Sequence, residues 1–213
     1  HGILGTKQKT EVIGEYQVKD ATSMEASSRL LIQKAPPHCK STNHLLHSIR
    51  KQAWEVAYKH IYDKQTIHRY FLGECIEKRT WKSANYTNEE TLLICKCDDN
   101  DDDDEKKEII GYARWGYTPK SNSELQSLYV LPTHWNLGSG SMLWNDIMTT
   151  CHRNQIKNLD VWVLNRAASG NFYVSRGCKR VGEGDYFIGH HLELAVSYRW
   201  SSLSSSSNHY HPG

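Results

Sequence analysis

The chain has 213 residues, 38% of them hydrophobic, with 26 basic and 24 acidic side chains and a net charge of +2, enough to bury one proper core and form a single domain with ends. No apolar run reaches membrane-spanning length, the opening HGILGTKQKTEV lacks the apolar centre of a signal peptide, and no basic block is dense enough for nucleic acid. These features exclude membrane and nucleic-acid partners and predict a soluble, cytoplasmic protein. Seven of the 24 acids fall in DDNDDDDE, Asp98–Glu105, which leaves 17 against 26 bases elsewhere, a mildly basic body suited to a polyanionic ligand.

Residues 1–28 are polar and weakly patterned and read as an N-terminal arm. RLLIQK (Arg29–Lys34) reads as the first strand, stopped by Pro36 and Pro37. A helix follows, with Leu45, Leu46, Ile49, Ala53, Val56, Ala57 and Ile61 on its apolar face and Arg50, Lys51, Glu55 and Lys59 facing away. A second helix is expected from Lys64 to Trp81, with Ile67, Tyr70, Phe71 and Ile76 turned inward. TLLICKC (Thr91–Cys97) and EIIGYARWGY (Glu108–Tyr117) are strands joined by the acidic run, a solvated hairpin loop over 98–105.

The most informative stretch is ELQSLYVLPTHWNLGSGS, from Glu124 to Ser141. Glu124–Leu131 is strand-like, and Pro132 ends it because proline has no N–H to give to a ladder. Gly138 and Gly140 then precede Met142, Leu143, Ile147, Met148 and Cys151 at helical spacing. Glycines at a helix start let the backbone approach an anion, and the free amides and dipole attract it. Further on, LDVWVL (Leu159–Leu164) is a continuous apolar run, the mark of a buried strand. Asn165–Ser175 forms a helix that Gly177 ends, CKRVGE leads into another strand, and HLELAVSY places Leu192, Leu194, Val196 and Tyr198 on one side of the last. Residues 201–213 form a serine-rich tail. Cys95 and Cys97 read as buried thiols, and no second pair gives them zinc spacing, so no metal is expected.

With these elements in this order, residues 29–200 resemble the GNAT superfamily of acetyl-CoA-dependent N-acetyltransferases. Three segments carry the resemblance: QAWEVAYKHIY in the first helix, LYVLPTHWNLGSG at the central turn, and VWVLNRAASGNFYVSRGCKRVGE after it. The resemblance implies an α/β fold with a mixed, mostly antiparallel sheet, splayed between its fourth and fifth strands, and helices on both faces. It also implies acetyl-CoA as co-substrate, with the backbone of Leu128, Tyr129 and Val130 on the pantetheine arm. Asn136, Leu137, Gly138, Ser139, Gly140 and Ser141 would hold the pyrophosphate, and Asn165 would touch the cofactor. Two departures stand out: the family's leading Gln or Arg of the loop falls on Trp135, and Asn165 precedes Tyr173 by eight residues where seven is usual.

An amine acceptor with a pKa of roughly 10.4 is protonated at neutral pH and must lose a proton before it attacks a thioester. The resemblance assigns that task to Glu124 and protonation of the leaving thiolate to Tyr173. The expected reaction is direct acetyl transfer to a primary amine: a small amine, a polyamine or an amino acid. A protein N-terminal amine or lysine is the alternative, and a non-catalytic acyl-CoA-binding module of the same fold is the rival of another class. A P-loop hydrolase lacks its Gly-Lys-Ser/Thr ending. Acceptor choice would lie with the link between the early helices and with the last hairpin, Gly182 to His191, in a monomer or homodimer.

Overall fold

A computed structural model of the protein describes residues 12–18, 28–35, 40–73, 86–98, 107–118, 122–188 and 190–202. Within them the order is β1 (Val12–Val18), β2 (Ser28–Lys34), α1 (Lys40–Ala57), α2 (Lys64–Gly73), β3 (Asn88–Asp98), β4 (Glu108–Tyr117) and β5 (Asn122–Val130). There follow α3 (Ser139–Arg153), β6 (Asn158–Leu164), α4 (Ser169–Val174), β7 (Lys179–Ile188) and β8 (His191–Ser201). One sheet takes the described strands in the order β1-β2-β3-β4-β5-β6-β8-β7. Every neighbouring pair is antiparallel except β5 and β6. The mixed, mostly antiparallel sheet is therefore the fold expected.

Val12–Val18 departs from the expected arm: it is an edge strand paired antiparallel with β2. An edge strand needs backbone partners on one side only, so its sequence can lack a strong apolar pattern. Its presence shifts the numbering by one, and the anticipated fourth and fifth strands are β5 and β6. Most of the acidic loop, Pro36 and Pro37, Ile76, Trp81 and most of the serine-rich tail lie outside the described residues.

Strand residues alternate between two helical layers, as a period of two requires. Leu92 and Ile94 of β3 pack on one face with Met142, Leu143, Trp144, Ile147 and Cys151 of α3 and Tyr173 of α4. Leu93 and Cys95 face the other way, onto Leu46 and Ile49 of α1. On that second side, Trp54 of α1 and Ile67 and Phe71 of α2 meet Leu164 and Ile188. Burial lifts the thiol pKa of Cys95 and of Cys151 to about 12, so both are inert packing groups.

The buried stripe of α1 is rotated from the one expected. Leu45 and Val56 are exposed, whereas Arg50, expected to face water, and Trp54 are buried. Arg50 is held by aromatic rings: its guanidinium carbon lies 5.0 Å from the centre of the Trp54 ring and 5.4 Å from that of Phe71, and Nη2 donates to Tyr70 Oη at 3.0 Å. The rings offer a cation a favourable face without water. Asp63 starts α2 by accepting from the Thr66 amide at 2.7 Å, an N-cap.

Candidate active site

β5 and β6 pair only from Asn122 opposite Asn158 to Leu125 opposite Val161. Beyond that point β5 stays with β4, through Leu128 opposite Ala113 to Val130 opposite Gly111, while β6 stays with β8. A register shift in β5 near Gln126, where Arg114 faces Ser127 and Trp115 faces Leu125, marks the parting. The β5 edge from Gln126 to Val130 thus has no strand beside it among the described residues. A cavity of about 610 Å³ opens there. Its wall runs along residues 125–130 and 161–163 to Ala53 and Ala57 of α1 and Tyr58 just past it, the turn 134–136, Gly138, Gly140 and Ser141, and then Ala167, Ala168, Ser169, Phe172, Tyr173 and Arg176. Trp162, expected to be buried within β6, is 48% exposed and belongs to this wall.

At one end of the cavity, Pro132–His134 makes a 3₁₀ turn and Gly138 caps α3 with φ of +90°, a conformation that disfavours any side chain. No side chain among the described residues caps α3. The amides of its first turn are therefore available to an anion, in line with the helix dipole. Ser139 is buried, and its Oγ has no partner among the described residues. Trp135, in the place of the family's Gln or Arg, turns its indole back: Nε1 donates to Val130 O at 2.7 Å and ties the turn to the end of β5.

A cation stands nearby, on another segment. Arg176, just past α4, donates from Nη2 to Ser141 Oγ at 2.5 Å and from Nη1 to Phe172 O at 2.8 Å, with its guanidinium carbon 3.5 Å from the Phe172 ring centre. The turn that places it is closed by the Cys178 amide on Tyr173 O at 3.1 Å, and Gly177 ends the helix as expected.

Midway along the wall, Tyr129 Oη accepts from Trp54 Nε1 at 3.0 Å, which leaves its own proton for another acceptor. Tyr173 is buried between Trp144 and Phe172, and burial, followed by the nearby Tyr129, pushes its phenol pKa up, so it stays protonated. Tyr58 is raised likewise, by burial first. Glu124 sits one residue before the strands part, with Asp160 opposite on β6. It is not among the residues lining the cavity. Its Oε2 accepts from Tyr86 Oη at 2.8 Å. The Tyr86 ring lies so close over Gly116 that a Cβ there would come within 2.5 Å of it.

Of the residues expected at the site, Leu128, Tyr129, Val130, Asn136, Gly138, Gly140, Ser141 and Tyr173 line the cavity. Glu124, Leu137, Ser139 and Asn165 do not; Asn165 is exposed, and its amide bonds to Leu194 O at 2.8 Å. Reasoning from sequence missed Tyr58, Trp162 and Arg176, whose only advance signal was membership of the segments that carried the resemblance. The two regions expected to select the acceptor do meet: the rings of Tyr62 and His191 lie 6.2 Å apart, and Thr66 Oγ1 is 3.5 Å from His191 Nε2.

The structure is similar to a GCN5-related N-acetyltransferase from Rhodopseudomonas palustris, with 14% identity, a TM-score of 0.58, and coverage of 84% of this chain and 99% of that one. It is also similar to PaiA N-acetyltransferase from Thermoplasma acidophilum in complex with coenzyme A, at 16% identity, a TM-score of 0.53 and coverage of 80% and 99%. A third likeness is to the ribosomal-protein-S18-alanine N-acetyltransferase of Escherichia coli, at 13% identity, a TM-score of 0.53 and coverage of 85% and 99%. At these identities the likeness concerns the fold. No curated protein matches the sequence. The model of the acetyltransferase (GNAT) family matches residues 46–178, from α1 through the turn after α4. The chain belongs to the GNAT acetyltransferase family, whose chemistry is acetyl-CoA-dependent acyl transfer.

Proposed function

We propose that the protein transfers an acetyl group from acetyl-CoA to the primary amine of a small molecule, by direct attack of the amine on the thioester. The observation that carries this reading is the unpartnered edge of β5, which runs from Gln126 to Val130 and ends at the uncapped start of α3. An extended pantetheine arm adds to such an edge as a strand would, and its phosphates reach the amides of residues 138–141.

In the reaction the amine nitrogen bonds to the thioester carbon, the carbon–sulfur bond breaks, and the thiolate takes the Tyr173 proton. A backbone N–H between Leu128 and Val130 stabilises the oxyanion. The amine gives up its proton to Glu124 through water, since Glu124 stands outside the lining. The buried phenol favours the donor role in one respect and opposes it in another. It is always protonated at neutral pH, yet a raised pKa makes it a weaker acid, so the thiolate must be held in a setting that raises its own pKa too. A peptide amine is the second reading, favoured by the β7–β8 hairpin, where Phe187 and Leu192 are exposed. Cytoplasmic residence agrees with the buried thiols of Cys95, Cys151 and Cys178, which form no disulfide among the described residues. Among the described residues no helix is long and apolar enough to cross a membrane.

The test is thermal stability with acetyl-CoA, CoA and ATP, followed by a screen of amines read by mass. A ligand at about 100 times its Kd adds about 2.7 kcal/mol, so a rise in Tm with acetyl-CoA and not with ATP is expected. No rise at millimolar acetyl-CoA would overturn the reading and favour a protein that keeps the fold without the reaction.

A further inference from the structure

We infer that Arg176 is the cation that holds the phosphates of CoA, supplying from the end of α4 the basic side chain that the loop itself lacks. The inference rests on the acetyl-CoA reading above. Residues 135–141 contain no lysine or arginine, and Arg176 is the only arginine or lysine among the described residues lining the cavity. Its bond to Ser141 Oγ sets the guanidinium against the first turn of α3, beside the uncapped amides.

Two further features point to an anion. First, no carboxylate pairs with Arg176 among the described residues, although the side chain is part-buried and loses enough water for its pKa to fall. A guanidinium remains charged at neutral pH even so, and a desolvated cation without a counter-ion is costly unless a ligand brings one. Second, the group is already immobilised. Phe172 stacks beneath it, and Nη1 is committed to Phe172 O and Ser175 Oγ. Nε–H and the second Nη2 hydrogen have no acceptor among the described residues, so donors remain for phosphate oxygens without a further loss of rotamer freedom.

The phosphate can be either the pyrophosphate or the 3′-phosphate of CoA, and the same experiment tells them apart. Calorimetric Kd values for CoA, dephospho-CoA and millimolar pantetheine are compared between the wild type and Arg176→Ala, with Arg176→Lys as the conservative variant. We expect Arg176→Ala to weaken CoA about ten- to a hundredfold, to leave pantetheine unchanged, and to be partly rescued by lysine. If the loss persists with dephospho-CoA, Arg176 holds the pyrophosphate; if it vanishes, the 3′-phosphate. Equal CoA affinity in the wild type and Arg176→Ala, or an equal loss for CoA and pantetheine, would overturn the inference, the second outcome marking a residue that only docks α4 on α3. A wild type that binds no CoA would instead remove the acetyl-CoA reading itself.

Discussion

The two ends of the cavity are built by different means. The end at α3 uses local chain geometry: a proline-started turn, a glycine in the left-handed region and helix amides, within residues 132–141. The end at Ala53, Ala57 and Tyr58 is backed, behind the lining, by side chains from distant segments. There Arg50 lies among Trp54, Tyr70, Phe71 and Tyr129, and His60 Nε2 meets Arg166 O at 2.8 Å while Arg166 Nη2 donates to His60 O at 3.1 Å. A ligand common to a whole family suits a site made of backbone, because backbone tolerates change in the side chains around it. An acceptor particular to one protein suits a site made of side chains.

The contrast breaks first at the point where the two ends meet. Tyr173→Phe removes one oxygen midway along the wall, and kcat is expected to fall by about 10²–10⁴, the usual worth of a positioned general acid, with the Kd for CoA unchanged by calorimetry. Unchanged turnover would take Tyr173 out of the chemistry. Arg50→Ala probes one end alone. It removes a buried guanidinium that bonds to Tyr70 and faces several rings, which should cost about 2–3 kcal/mol in urea unfolding while CoA affinity stays within about twofold, well under a tenfold step of 1.4 kcal/mol. Parallel losses of stability and CoA affinity would mean that the two ends form one cooperative unit.

The smallest effect separates the two helical layers by pH. Cys151 lies under α3 and Cys95 on the α1 side, and burial raises each thiol pKa from 9.0 to about 12. A folded-state pKa above the unfolded one means that the stabilisation is complete below pH 9 and is lost as pH rises toward 12. Each thiol adds at most about 1.4 kcal/mol per pH unit to that loss. Urea midpoints at pH 8 and pH 10.5 should therefore diverge, and Cys151→Ala and Cys95→Ala should each reduce the divergence. A midpoint independent of pH over that range would contradict the buried thiols.

What could be read from the sequence follows the same division. Pro132, Gly138, Gly140 and the apolar spacing of α3 are neighbours in the chain, so strand, turn and helix were legible, as was Tyr173 within a short segment. Arg50 was misread because helical periodicity cannot see the rings of α2 and β5 that make a buried cation acceptable. Glu124 was legible as an acid on β5, but its Tyr86 partner comes from a stretch 38 residues away. Arg176 stands 35 residues from the serine it bonds, and only the packing of α4 on α3 brings the two together. Asn165 was legible only through the resemblance, and it stands outside the cavity wall with its amide bonded to Leu194 O.

The short parallel contact between β5 and β6 also bears on how the chain assembles. β3 with β4, β4 with β5, and β7 with β8 are antiparallel neighbours in sequence, which close as hairpins and form early. Asn122–Leu125 and Asn158–Val161 can meet only after α3 has been laid across the sheet, because parallel strands need a crossover. That seam is expected to be the late, slow step of folding. Until it forms, the edge of β5 is open to any extended chain, so the strand that borders the cavity is first the place where a nascent copy is most exposed to mispairing.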